Sequence, residues 1–283
     1  MGFEVAALAP IGVEIRGLAL GGRVSDEDFA HLRRTIVAEG LVVLRDQALT
    51  PAAHVALGRR FGELERGAFN PDTPDPDLIL LTNQARDGRM LANDDVRMRL
   101  VAINEGWHTD SSFRPMPASF SLFAAVVVPP VGGGTFFACL RRAWEALDAP
   151  LREALRGRLG IHDYAAAFRR FGSTIAGDPV FELPPVTHPL VRRHPESGAT
   201  VLYTSEHVMG IEGMPEPEAR SLLARLLAVA TAPERVYRHA FRPGDLLIWD
   251  NRSMLHRAEG FDARYARVMH HVRVAGSEAV IAA

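Results

Sequence analysis

The chain has 283 residues, 32 of them basic and 34 acidic, for a formal charge of -2. Every basic residue is arginine, which excludes Schiff-base catalysis, a pyridoxal-phosphate lysine and a phosphate-loop lysine. The near balance of charge leaves no basic footprint for nucleic acid or an anionic membrane, so the expected partners are a small-molecule substrate and further copies of the chain in a homo-oligomer. Cys139 is the only cysteine, which excludes an internal disulfide framework and any cysteine-rich metal site, and fits a cytoplasmic protein. The longest apolar stretch, residues 120–131, is broken by Pro129 and Pro130 and is too short to span a bilayer.

Residues 3–20 carry short apolar runs punctuated by Pro10, Gly12 and Gly17, a pattern of strand and turn. Ser25 is placed to cap a helix whose Phe29, Leu32, Ile36 and Val37 share one face and which Gly40 ends. Leu41 to Leu44 reads as a buried strand. Thr50 and Pro51 start a second helix, which carries Val55, Leu57 and Phe61 toward Gly62. Residues 66–77 read as a loop and 78–81 as a strand. The polar, charged segment 83–99 lacks periodicity and is expected to be a mobile loop, a candidate lid. Phe120 to Val128 and Thr135 to Ala138 read as strands joined by the Gly132-Gly133-Gly134 turn. Helices are expected at 143–158 and 216–230, with a strand at 200–203 in the loop-rich stretch between them. Three more strands are expected at 245–249, 254–258 and 267–274. With no repeat and no linker, the preferred architecture is one α+β domain on an antiparallel β core.

His108 and Asp110 stand two apart, so on an extended segment both side chains project to one face and can share an ion. Alone the pair suits an exposed turn better than a metal site. A 2-His-1-carboxylate site needs a third ligand from a distant strand, and His256 is placed to supply it. Arg267 follows with ten residues between it and His256, and the order of these features is what points to a metal site.

The stretches NEGWHTDSSF (104–113), GGGTFFA (132–138), GDLLIWDNRSMLHRA (244–258) and RVMHHVRVAG (267–276) resemble the TauD/TfdA family of Fe(II)- and 2-oxoglutarate-dependent dioxygenases. Weaker likeness extends over nearly the whole chain. The resemblance implies a double-stranded β-helix, or jelly roll, with flanking helices. It implies iron held by His108, Asp110 and His256, 2-oxoglutarate bound through its distant carboxylate by Arg267 and Thr135, and Asn104 beside the cofactor or substrate. Dioxygen completes the reactant set. The implied reaction hydroxylates a small organic substrate, with an anionic one expected, and releases succinate and carbon dioxide. A buried forked cation suits the far carboxylate of the keto acid better than an ammonium would.

On a strand, Arg267, Met269, His271 and Arg273 share one face and Val268, His270, Val272 and Val274 the other. The family's sulfonate-oxidising members carry an arginine where His271 stands, so this chain departs from their pattern. His271 and Arg273 are therefore candidate contacts for an organic anion, Arg273 suiting a surface charge equally well. The look of the His108 and His256 segments and of residues 193–198 is nearest to the branch that cleaves aryloxyalkanoates, so cleavage of an ether is open. His194 and His207 read as structural, Trp107 and Trp249 as packing residues, and Cys139 as inert. Two rivals stand beside this reading. A zinc hydrolase would also use His, Asp and His, but would have no use for an arginine that binds a keto acid. A non-catalytic jelly-roll binding protein would tolerate loss of His108 or Asp110.

Overall fold

A computed structural model describes residues 2–66, 73, 75–92, 95–170 and 182–283. The chain opens with β1 (Glu4–Ala7) and β2 (Val13–Arg16), then α1 (Asp26–Glu39), β3 (Leu41–Leu44) and α2 (Pro51–Phe61). Local chemistry sets these boundaries. Ser25 Oγ accepts the Asp28 N–H at 3.0 Å to cap α1, and Gly40 closes it at φ 82. At Gly40 a side chain is also excluded by Met254, whose sulfur would lie 2.6 Å from a Cβ. Thr50 Oγ1 caps α2 through the Ala53 N–H at 3.1 Å, with Pro51 in the first turn.

Then follow β4 (Ile79–Thr82), α3 (Val96–Ile103), β5 (Phe120–Val127), β6 (Thr135–Cys139), α4 (Leu140–Ala146), α5 (Ala149–Leu155), β7 (Leu159–His162) and α6 (Tyr164–Arg170). The last part holds β8 (Val186–Pro189), β9 (Val191–Arg193), β10 (Thr200–Leu202), β11 (Val208–Ile211), α7 (Glu216–Ala230), β12 (Val236–His239), β13 (Leu246–Asp250), β14 (Met254–Ala258), β15 (Val268–Val274) and β16 (Ile281–Ala282). A seven-stranded sheet runs in the order β1-β2-β3-β13-β5-β15-β4, antiparallel except between β2 and β3. A second sheet sets β6 between β12 and β14.

Strand periodicity divides the core. Val42, Leu44, Leu122, Ala124, Leu246, Ile248, Val272 and Val274 pack against α1 and α2 through Leu32, Ile36, Val55 and Phe61. The alternate residues Leu41, Val43, Phe123, Leu247, Trp249 and Met269 face Phe137, Cys139 and Met254 of the second sheet. The faces of β15 therefore separate as its alternation requires. A third cluster joins α4, α5 and α7 to β9, β10 and β11. No described helix is long and apolar enough to cross a membrane.

Four differences from the expected elements have physical causes. The helix expected at 143–158 is two, because Asp148 caps a new helix through the Leu151 N–H at 2.8 Å with Pro150 in its first turn. The segment expected as a loop at 83–99 has turned into α3 by Val96, while residues 93 and 94 lie outside the described residues. Most of the loop expected at 66–77 also lies outside them. β5 and β6 belong to different sheets, the glycine turn between them crossing from one to the other. The stretch before Thr200 holds β7, α6, β8 and β9, short elements in which buried His162 and His188 mask the apolar signal.

Candidate active site

His108 and β14 are tied by reciprocal backbone hydrogen bonds, His108 N–H to His256 O and His256 N–H to His108 O, both 2.9 Å. This isolated antiparallel bridge brings two distant histidines to ring centroids 4.2 Å apart. Asp110 follows on the same face, after which Ser111 takes φ 56 and turns the chain away. One ligand atom from each of His108, Asp110 and His256 lies within 4.8 Å of the others, and all three residues are buried. Asp110 oxygens stand 4.0 Å from His108 Nε2 and 3.8 Å from His256 Nε2. Those gaps are too long for hydrogen bonds and suit a bridging cation.

The surroundings fix the donor atoms. His108 Nδ1 lies 2.8 Å from the Gly106 carbonyl, which can only accept, so Nδ1 carries the proton and Nε2 offers its lone pair. Burial, and next the neighbouring His108, pushes the His256 imidazole well below its ordinary pKa of 6.5. Burial pushes the Asp110 carboxyl up, but His256, His271 and Arg273 outweigh it and hold the group below the usual carboxylate range. Ser121 Oγ donates to Asp110 Oδ2 at 2.6 Å and receives the Asn251 Nδ2–H at 2.8 Å. Asn251 Oδ1 accepts from Trp249 Nε1 at 2.9 Å and from the Asp110 N–H at 3.2 Å, and its carbonyl accepts from Arg192 at 3.0 Å. Ser121 and Arg192 carry no motif signal, whereas Asn251 stands inside the WDNR stretch.

Beside the triad lies a cavity of about 160 Å³ whose walls include Asn104, Thr135, Arg267, His271 and Arg273. Asn104 is fixed to β14 through its carbonyl, which accepts the Ala258 N–H at 2.6 Å. Arg267 is 5% exposed, and its Nε donates to the Gly133 carbonyl at 3.0 Å. The glycine turn is needed here: Gly133 has φ 69, and a Cβ on it would lie 3.3 Å from Arg267 Cδ. Among the described residues Arg267 makes no ion pair, and burial alone pushes its pKa from 12.5 down to about 10.

His271 and Arg273 follow on the same face of β15. His271 Nε2 lies 3.7 Å from Asp110 Oδ2, and burial pushes its pKa down to about 4. Arg273 is not the surface charge that its strand-end position equally allowed: its Nε stands 3.3 Å from Glu65 and its Nη1 4.0 Å from Asp110. Glu65 also accepts from Ser111 Oγ at 2.7 Å. His194 is structural as expected, bonded to Asp250 at 3.0 Å. His207 lies with its ring 5.5 Å from that of His108, close to the site but outside the cavity wall. Sequence reasoning missed Phe113, Arg114 and Tyr164, which also line the cavity. Tyr164 sits on the unanticipated α6.

Residues 4–274 match the family model described as taurine catabolism dioxygenase TauD, TfdA family. The (S)-phenoxypropionate/alpha-ketoglutarate-dioxygenase of Sphingobium herbicidovorans is 34% identical over 98% of this chain and 96% of its own length. The alpha-ketoglutarate-dependent 2,4-dichlorophenoxyacetate dioxygenase of Cupriavidus pinatubonensis is 35% identical over 88% of each. The crystal structure of AAD-2 in complex with Mn(II) and N-oxalylglycine superposes with a TM-score of 0.92 at 33% identity, over 99% of this chain and 100% of that one. The chain belongs to the TauD/TfdA family. It is an enzyme of the 2-oxoglutarate-dependent dioxygenase class, with Fe(II) as its metal cofactor and 2-oxoglutarate and dioxygen as co-substrates. Neither the zinc hydrolase nor the binding protein finds support among these relatives.

Proposed function

We propose that the chain is a single jelly-roll domain that hydroxylates an aryloxyalkanoic acid at the carbon bearing the ether oxygen. The observation that carries the reading is a buried arginine with no counter-charge among the described residues, Arg267, on the wall of the cavity that His108, Asp110 and His256 also line. An uncompensated buried cation is unfavourable by itself and suits a site that receives a carboxylate. Two layers support the jelly roll: the inner faces of the β13-β5-β15 sheet and the β12-β6-β14 sheet share one core.

In this reading His108 Nε2, Asp110 and His256 Nε2 hold Fe(II), a donor set of two neutral imidazoles and one carboxylate that fits this ion. Bound iron with dioxygen supplies the oxidising power that decarboxylates 2-oxoglutarate to succinate and carbon dioxide and hydroxylates the substrate. The chain supplies position and dryness. Gly106 and Ser121 orient the ligands, Arg267 and the Thr135 hydroxyl receive the far carboxylate of 2-oxoglutarate, and Asn104 lies beside it. Burial of the ligands at 5–6% exposure keeps bulk water from the reacting centre. Phe113, Phe123 and Tyr164 offer ring faces to an aryl group. His271 and Arg273 place further polar atoms next to Asp110. Segment 83–99, with α3 at its end contributing Val101 and Ile103 to the cavity, is the proposed cover. A cytoplasmic location and self-association belong to the same proposal.

The hydroxylated carbon would carry both hydroxyl and aryloxy groups and would collapse to a phenol and a 2-oxo acid. The relatives named above for phenoxypropionate and 2,4-dichlorophenoxyacetate support this substrate class. The test is a panel of aryloxy acids, sulfonates, alkyl sulfates and amino acids, each incubated with enzyme, Fe(II), ascorbate and 2-oxoglutarate. Aryloxy acids should release succinate together with phenol. A panel in which sulfonates or amino acids release more succinate than any aryloxy acid would overturn the substrate class.

A further inference from the structure

We propose that Arg114 holds the carboxylate of the organic substrate; this rests on the aryloxy-acid reading above. Four arginines line the cavity: Arg66, Arg114, Arg267 and Arg273. Each has a different charge environment. Arg273 is already matched by Glu65 at 3.3 Å and lies 4.0 Å from Asp110. Arg267 is the partner of 2-oxoglutarate. Arg66 is exposed, where water and salt screen a carboxylate contact to little value. Arg114 is half-buried, and its Nε is buried with no hydrogen-bond partner. Among the described residues it makes no ion pair.

The backbone presents Arg114 from a fixed point. Its N–H donates to the Ser111 carbonyl at 2.9 Å, and its carbonyl is 3.0 Å from His188 Nε2. The neighbouring Phe113 ring lies 4.3 Å from that of Tyr164, centroid to centroid, and both line the cavity beside the free guanidinium. A cation next to two aromatic faces is the complement of an aryl ring joined to a carboxylate by a short tether. Charge balance agrees. With a ferrous ion at Asp110, the inner arginines 114, 267 and 273 exceed the carboxylates of Asp110 and Glu65 by three charges. A 2-oxoglutarate dianion and one monocarboxylate neutralise that excess.

The test is anaerobic calorimetric titration of the Fe(II)- and 2-oxoglutarate-loaded protein with 2-phenoxypropionate and with its neutral primary amide. Arg114→Met should weaken the acid roughly tenfold to a hundredfold and leave the amide unchanged, so the preference for acid over amide collapses. Arg114→Lys, which keeps the charge without the fork, should retain part of that preference. Glu65→Gln, which frees Arg273, should leave it within about threefold. An unchanged preference in Arg114→Met would overturn the assignment, as would a Glu65→Gln variant that binds the acid more tightly, since that would move the contact to Arg273. Wild type that prefers acid over amide through Arg114 but releases no succinate with any aryloxy acid would leave the anion site standing and overturn the substrate class instead.

Discussion

Replacing Arg267 with methionine should make the ligand-free protein more stable while removing its hold on 2-oxoglutarate. Burial alone depresses the guanidinium pKa from 12.5 to about 10. That displacement corresponds to about 3 kcal/mol of unfavourable burial carried by the folded protein. Methionine removes it and fills a similar volume, at the loss of the 3.0 Å charge-assisted hydrogen bond to the Gly133 carbonyl, about 2 kcal/mol. The net expectation is a gain of about 1 kcal/mol, a rise in melting temperature of about 2 °C for a chain of this size. The same substitution deletes a charge-assisted contact of about 3 kcal/mol, so the 2-oxoglutarate dissociation constant should rise about a hundredfold. Differential scanning calorimetry without ligand and anaerobic 2-oxoglutarate titration with Fe(II) read the two effects separately. In wild type, 2-oxoglutarate at a hundred times its dissociation constant should add about 2.7 kcal/mol of stability, which the variant should lose. An unchanged dissociation constant would refute Arg267 as the carboxylate partner. A fall in the ligand-free melting temperature would refute the argument from its uncompensated burial.

Three further outcomes follow from the site and the core. His108→Ala, Asp110→Ala and His256→Ala should each abolish iron-dependent succinate formation with an unchanged circular dichroism spectrum; substantial turnover in any one removes that residue from the metal site. Ser121→Ala deletes the 2.6 Å donor to Asp110 Oδ2 and should weaken Fe(II) binding about tenfold to a hundredfold, read by metal titration; unchanged affinity would leave Ser121 a packing residue. His54 is buried with neither ring nitrogen bonded, and burial pushes its pKa from 6.5 down to about 3. The unfolded chain therefore takes up a proton below about pH 6.5 that the folded chain refuses until about pH 3, and stability falls with acidification through that window. His54→Leu should gain about 2 kcal/mol on wild type between pH 7 and pH 5 in urea unfolding, whereas parallel curves would contradict the assignment.

The elements nearest the site were the most legible in the sequence. β5, β13, β14 and β15 are near-continuous apolar runs or clean alternations, and both caps on α1 and α2 use residues whose side chains can do little else there. The convergence of His108, Asp110 and His256 was legible because they stand in motif stretches whose order is informative, and the backbone bridge between His108 and His256 is what that order encodes. Two features were hidden. Whether Arg273 is exposed depends on Glu65, a residue 208 positions earlier that no local pattern connects to it. Arg114, Phe113 and Tyr164 reach the cavity through a turn and a short helix, where neither the two-residue nor the 3.6-residue period reports which side chains point inward. The expected loop at 83–99 failed at its end because α3 has a weak apolar face, its helical state being set by contact with β4 more than by its own sequence.

The measurement that tests the dioxygenase account most directly is turnover of an aryloxy acid under ¹⁸O₂ with Fe(II) and 2-oxoglutarate. Succinate should carry one ¹⁸O atom and form in step with the phenol and the 2-oxo acid, and omission of iron, 2-oxoglutarate or dioxygen should stop all three products. Phenol released at an equal rate without dioxygen or 2-oxoglutarate, accompanied by unlabelled products, would show hydrolysis by water at the same His108, Asp110 and His256 site and would contradict the account.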